Sequence, residues 1–241
     1  GNFDIEVGVD PDYEALEMKV GSYINAEGKV VRDAADAIGI VFKMEAIGSD
    51  VSANYPVALQ GKTIAGYAVA IENVATGRQV LNNAAMSSLV TTDATVTNGT
   101  QATDALLTGI GEVAFMTTYN SWVNEHPLDG ESLSSWYIPT VDQLGEFMGM
   151  LFKIGEVEPT GGQAFREMPE FAFENGVMFD RDPIESVYYA SCTVNGSKDI
   201  SGVIINVDKT TKQVLDAKAS SLKVTGSSQK ALCRPMITIF K

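Results

Sequence analysis

The sequence predicts an α+β domain with two helices packed on twisted antiparallel sheets. Three observations predict it: short runs rich in β-branched residues between polar turns, one amphipathic helix with a complete start signal, and a series of strands in the last quarter of the chain. No Pro-, Ser- or Gly-rich linker interrupts residues 19–241, so we expect a single domain there, preceded by an acidic spacer over 1–18.

The first half of the chain predicts two buried strands and a helix. Residues 37–42 and 64–71 have the apolar, β-branched composition of buried strands. Residues 103–123 have helical periodicity, which Gly109 and Gly111 weaken by about 1 kcal/mol each relative to alanine.

A second helix has the clearest start signal in the sequence. Thr140 and Gln143 form a capping box, in which each side chain bonds the backbone N–H of the other residue. Leu144, Phe147, Met148 and Leu151 then recur at helical spacing and define one buried face.

The last third of the chain predicts an irregular segment followed by strands. Residues 155–186 show no clear period, and we expect them to be the most irregular part of the domain and to carry its specificity. Strands are predicted at 187–192, 202–207, 213–216, 222–225 and 232–240, with a hairpin connection over 208–212.

Charge and composition exclude several classes of partner. The formal net charge is −14, which repels nucleic acid phosphates and anionic lipid headgroups. The single histidine rules out a His-rich metal site, and no 18-residue apolar window suggests a transmembrane helix. We therefore expect no cofactor and no metal.

The N-terminus suggests a trimmed chain. Residue 1 is glycine rather than methionine, and we interpret the chain as a trimmed product of a longer natural protein, with an export signal as one candidate for the removed segment.

Several separated motifs resemble those of a family of bacterial envelope lipoproteins and fimbria-associated proteins. Trp136-Tyr137-Ile138-Pro139-Thr140 with Gln143-Leu144 resembles its "W-Y-L-P-S-x-x-E-L" motif, and Leu232-Cys233-Arg234-Pro235-Met236 resembles its "V-R-P-V" strand. Tyr188-Tyr189-Ala190-Ser191 is similar to its "Y-W-S-S" strand, with Tyr189 in place of tryptophan. Further similarity lies in Val20-Gly21-Ser22-Tyr23, in residues 38–42 and in residues 66–70, in the family's order.

This resemblance implies a C-type-lectin-like fold and an outer-membrane or cell-surface location, with membrane contact only through a lipid anchor. It implies no reaction. We therefore expect a non-catalytic binding or structural module, such as an adhesin or fimbrial accessory protein, whose partner is a glycan or a protein at the cell surface. The alternatives are a calcium-independent glycan-binding protein and a hydrolase with an unrecognised carboxylate pair.

Candidate ligand-binding residues lie in the irregular segment. Its aromatic side chains could stack on sugar rings, although such aromatics more often fill a small core under a loop. Asp180, Asp182 and Glu185 could offer oxygens to calcium, but a solvated turn explains them better. The ligand-binding candidates are Phe165, Phe171, Phe173, Phe179, Asp180 and Asp182.

The remaining notable residues favour structural roles. We expect His126 in a loop at or after a helix end, Trp122 and Trp136 largely in the core, and Arg234 either paired with a carboxylate or pointing outward. Cys192 and Cys233 either form a bridge or remain two buried thiols. The residues assigned to packing or capping are Trp136, Pro139, Thr140, Gln143, Tyr189 and Arg234.

Overall fold

A computed structural model describes residues 16–79, 98–110, 114–154, 156–161, 168, 177–181, 184–195, 199–211, 213–222 and 230–241. The helices are α1 (Gly99–Ile110), α2 (Ala114–Glu125) and α3 (Val141–Leu151). The strands are β1 (Tyr23–Ile24), β2 (Val30–Val31), β3 (Gly39–Lys43), β4 (Ile64–Ala70), β5 (Val74–Gln79), β6 (Val177–Arg181), β7 (Ile184–Val194), β8 (Ile200–Asp208), β9 (Val214–Leu222), β10 (Lys230–Cys233) and β11 (Met236–Phe240).

The described strands form two sheets, and the α+β prediction is confirmed. One sheet has the order β11-β4-β3-β1-β2, with every pair antiparallel. The other has the order β5-β10-β7-β8-β9, and β6 also pairs with β7. β10 and β7 pair in parallel, with Leu232 opposite Tyr189, and an isolated bridge between Ile154 and Ala217 of β9 is also parallel.

Two apolar clusters lie on opposite faces of the strands. Successive residues of β3 and β4 alternate between them: Val41 and Ala68 belong to one cluster, and Tyr67 and Val69 belong to the other. The first cluster also contains Trp122 of α2, and the second contains the buried face of α3. The period of two in the strands therefore places α2 and α3 on different faces.

The helical residues of the first half belong to two helices. The helix predicted over 103–123 is confirmed as helical in its described residues, which belong to α1 and α2. Residues 111–113, between these two helices, lie outside the described residues. The helix predicted from Thr140 is confirmed as α3.

Two predictions for the C-terminal strands need correction. Residues 232–240 form two strands in different sheets, because the Arg234-Pro235 step separates β10 from β11. The strand predicted at 213–216 continues to Leu222 as β9, which pairs with β8 from Leu222 to Val214 with one register shift, and residues 223–225 of the next predicted strand lie outside the described residues. The connection between β8 and β9 is a turn in which the Asp208 carboxylate accepts the N–H groups of Thr210 and Thr211.

Much of the segment 155–186 lies outside the described residues, and the part that the structure describes contains regular strands. Its described part includes β6 and the start of β7, which form an antiparallel hairpin. Alternation is hard to recognise in β6 because a register shift lies between Val177 and Phe179. None of the helices in the described ranges has the length and apolarity needed to cross a bilayer.

Candidate functional site

The predicted ligand-binding residues divide into two groups. Phe165, Phe171, Phe173 and Asp182 lie outside the described residues. Phe179 and Asp180 lie on β6, where Phe179 pairs with Ser186 and Asp180 pairs with Glu185.

A row of polar side chains crosses β7, β8 and β9. Ser186, Asn206 and Asp216 lie directly opposite one another on β7, β8 and β9. The Ser186 hydroxyl donates to Asn206 Oδ1 at 2.6 Å, and Asn206 Nδ2 donates to Asp216 Oδ1. Paired positions of antiparallel strands share a face, so these three side chains lie on one surface of the sheet. We call Ser186, Asn206 and Asp216 the polar row.

The polar row opens to solvent toward the edge strand. Asp216 is exposed, Asn206 is half-buried and Ser186 is buried. The next row on the same face consists of Tyr188 on β7, which is buried, Ile204 on β8, which is half-buried, and Lys218 on β9, which is exposed. This part of the sheet therefore presents an amide, a carboxylate and an ammonium group around one partly accessible aliphatic side chain.

A second group of polar side chains is buried. Asp50 is 3% exposed, and its carboxylate accepts hydrogen bonds from the Tyr55 and Tyr67 hydroxyls at 2.6 and 2.7 Å. Asn98 Nδ2 donates to the other oxygen at 3.1 Å. Burial raises the pKa of the Asp50 carboxyl, and the hydrogen bonds from Tyr55, Tyr67 and Asn98 only partly oppose this rise. This carboxylate is enclosed by protein donors.

The buried polar side chains around Asp50 also connect to α1 and α3. Asn98 Oδ1 accepts the N–H of Gln101 in the first turn of α1, so one side chain joins Asp50 to this helix. The Thr238 hydroxyl lies 2.8 Å from the Tyr55 hydroxyl and 3.0 Å from the Tyr137 hydroxyl, to which Gln143 Nε2 donates. The cluster thus ties β4, β11, α1 and α3 together.

The capping box at α3 is complete. The Gln143 N–H donates to Thr140 Oγ1 at 3.3 Å, and the Thr140 N–H donates to Gln143 Oε1 at 3.0 Å. The capping prediction is confirmed. Trp136 and Tyr189, both assigned to packing, are buried at 5% and 7% exposure, and the carbonyl of Pro139 accepts the N–H of Cys192.

Arg234 is buried, and backbone carbonyls hold its guanidinium. It does not point outward, because it is 4% exposed. Its guanidinium donates to the carbonyls of Ala70 and Ile71 and to Asn73 Oδ1 at 2.9 to 3.2 Å. These acceptors lie at the end of β4 and in the turn to β5. Two adjacent carbonyls suit the guanidinium because it carries several donors in a fixed plane.

A cluster of aromatic residues lies at the end of α2. His126 follows α2, as predicted, and its ring stacks on Trp122 at a centroid distance of 4.2 Å. Nε1 of Trp122 and Nε2 of His126 both contact Glu72 Oε1, at 2.8 and 3.0 Å. The indole N–H of Trp136 donates to the carbonyl of His126. These contacts tie α2 to the turn between β4 and β5 and to the segment before α3.

The two cysteines are free thiols, and both are fully buried. Burial raises the pKa of the Cys192 thiol to about 12 and raises that of Cys233 as well. A thiol is nucleophilic as the thiolate, so burial and a raised pKa both disfavour reaction of these two thiols in the folded chain. Among the described residues, no three or more His, Cys, Asp or Glu are gathered as a metal site would need.

Comparison with known proteins gives no relative. No family model, no curated protein and no solved structure matches the chain.

Sequence reasoning missed Asp50, Glu72 and the polar row. One signal was available: Asn206 interrupts the apolar run Val203-Ile204-Ile205, and a polar residue inside a strand needs a partner. Asp50 and Glu72 lie in turns, where acidic residues are common, so the sequence around them does not indicate that they are buried or bonded.

Proposed function

We propose that this chain is a non-catalytic binding or structural module of the bacterial cell envelope with a C-type-lectin-like fold, such as an adhesin or a fimbrial accessory protein. The main support for the proposal is that residues of the motifs that resemble the family have structural roles in this fold. Thr140 and Gln143 cap α3 and connect it to Tyr137, while Arg234 holds the turn after β4. Motif residues of this kind specify a scaffold.

The state of the chemically reactive side chains supports a binding role over catalysis. Both thiols are buried and have raised pKa values. The buried Asp50 carboxylate accepts hydrogen bonds from three side chains. His126 is engaged through both ring nitrogens, with Glu72 and with the carbonyl of Trp122. These groups hold elements together, which is a structural task.

Fractionation of cells of the native source tests the location. An antibody against the chain should detect it in the envelope fraction, and protease added to intact cells should remove it. Recovery in the cytosol would contradict the proposal. The control is a cytosolic enzyme, which must remain protected from the protease.

A sedimentation assay tests the binding role. The purified chain, mixed with isolated envelope fragments, should sediment with them reversibly, and mass spectrometry should find the fragments chemically unchanged. Release of cleaved products that depends on the chain would overturn the non-catalytic assignment.

A further inference from the structure

We propose that the polar row, together with the exposed face of β9 beside it, binds a neutral polyhydroxylated ligand, a glycan chain. This inference deepens the binding role proposed above and rests on it. It commits to one surface, formed by Ser186, Asn206, Asp216 and Lys218 around Ile204, and to one class of ligand.

The hydrogen-bonding capacity of the polar row suits hydroxyl groups. Asn206 is held at both ends, since its oxygen accepts from Ser186 and one of its two N–H groups donates to Asp216. The second N–H of Asn206 and Oδ2 of Asp216 have no other partner in the part of the chain that the structure describes. One donor and one acceptor side by side match a pair of neighbouring hydroxyls, because each hydroxyl both donates and accepts.

The row is preorganised by the sheet. β8 and β9 pair continuously from Ile200–Leu222 to Asn206–Asp216, so backbone hydrogen bonds fix the spacing of the polar groups. The Ser186 hydroxyl fixes the orientation of the Asn206 amide. A site on paired strands loses little conformational entropy when a ligand binds, so even a few polar contacts yield measurable affinity.

The charge of the surface favours a neutral ligand. The chain carries a net charge of −14, and Asp216 places a carboxylate within the row itself. A phosphorylated or sulfated chain would be repelled by both. Lys218 lies on the same face of β9 and offers a donor to a neutral ligand, while Ile204 offers aliphatic surface to the apolar side of a sugar ring.

Binding to an array of neutral oligosaccharides tests the proposal, followed by calorimetry with the oligosaccharide that binds best. The purified full chain should bind in EDTA, because no metal takes part. Asn206→Ala and Asp216→Ala should each weaken binding at least about tenfold, which is about 1.4 kcal/mol. Asn54→Ala is the matched control, an amide in the 3₁₀ turn Ser52–Asn54, and should bind like the wild type.

A thermal melt of each variant confirms that it is folded, and Asp216→Ala should melt like the wild type because the side chain is exposed. Equal affinity of the wild type and both row variants, preference for sulfated over neutral chains, loss of binding in EDTA, or no binding to any neutral oligosaccharide would each overturn the inference. An envelope location without glycan binding would overturn this inference alone, and glycan binding by a cytosolic protein would overturn the envelope proposal alone.

Discussion

The Tyr55 hydroxyl donates a 2.6 Å hydrogen bond to the carboxylate of Asp50, and both residues are 3% exposed. The same carboxylate accepts from Tyr67 of β4 and from Asn98, the residue before α1. Elements separated by almost 50 residues in sequence therefore meet at one acidic group. Such a group costs desolvation energy, which its donors offset only in part.

The pH dependence of stability should reflect Asp50. Burial raises its pKa above the ordinary value of 3.8, so the folded chain holds this proton at a pH at which the unfolded chain has lost it. The contribution of Asp50 to the free energy of unfolding is therefore fully present below about pH 3.8 and is lost as the pH rises through the folded pKa. Asp50→Asn removes this loss, so the variant should gain stability relative to the wild type as the pH rises.

Urea unfolding of both chains between pH 3.5 and pH 8, in steps of about half a unit, measures this difference. Ser52→Ala, a change in the same loop that involves no titratable group, should shift stability by the same amount at every pH. A constant difference between Asp50→Asn and the wild type would contradict the prediction.

Two glycines should respond in opposite ways to alanine. A Cβ at Gly99 would overlap the buried ring of Tyr137 and approach Gln143 Oε1 to 2.6 Å, so Gly99→Ala should destabilise the fold by roughly 1–3 kcal/mol. Gly145, inside α3, has open space around the same position, so Gly145→Ala should stabilise it by about 0.5–1 kcal/mol. Urea unfolding at one pH measures the change in the free energy of unfolding for both variants. A change of the same sign in both would contradict the tight packing expected at Gly99.

Arg234→Lys should destabilise the fold although it keeps the charge. The guanidinium bonds two carbonyls and one amide oxygen from a fixed plane, an arrangement that a single ammonium group cannot reproduce. We expect a loss of roughly 2 kcal/mol in the free energy of unfolding. Arg32→Lys, on an exposed arginine, is the control and should change stability by less than about 0.5 kcal/mol. Equal melting of the two variants would exclude a structural role for Arg234.

Local signals explain which parts of the fold could be predicted. The start of α3 was predictable because Thr140, Gln143 and the apolar face lie within 12 residues of one another and interact inside one helix. The runs at β3, β4, β7 and β8 were predictable because their β-branched composition matches buried strands.

Strand pairing between residues far apart in the sequence accounts for the parts of the fold and of the site that the sequence did not predict. Leu232 pairs with Tyr189 in parallel register, yet Met236, only four residues later, pairs with Val69 in the other sheet. No local pattern shows that a chain changes sheets at a Pro. The polar row was hidden for the same reason, since its members come from three strands and meet only through register.

The two cysteines should both react in a thiol titration. In denaturant without reductant we expect two accessible thiols per chain, because Cys192 and Cys233 are unbridged. In the folded chain at pH 7 neither should react at a measurable rate, since both are buried and their pKa values are raised, that of Cys192 to about 12. Absence of reactive thiols in denaturant would instead establish a disulfide.

Removal of the cap at α3 should cost a small, defined amount of stability. Thr140→Ala deletes the hydroxyl that accepts the Gln143 N–H, at a site where both residues are at most 1% exposed and water cannot readily replace the lost partner. We expect a decrease of about 1 kcal/mol in the free energy of unfolding measured in urea. Thr140→Ser keeps the acceptor and should recover most of this loss, whereas Thr210→Ala, in the exposed turn after β8, should have little effect. If Thr140→Ala and Thr210→Ala unfold at the same urea concentration, the capping box contributes nothing, and the apolar face of α3 alone sets where the helix begins.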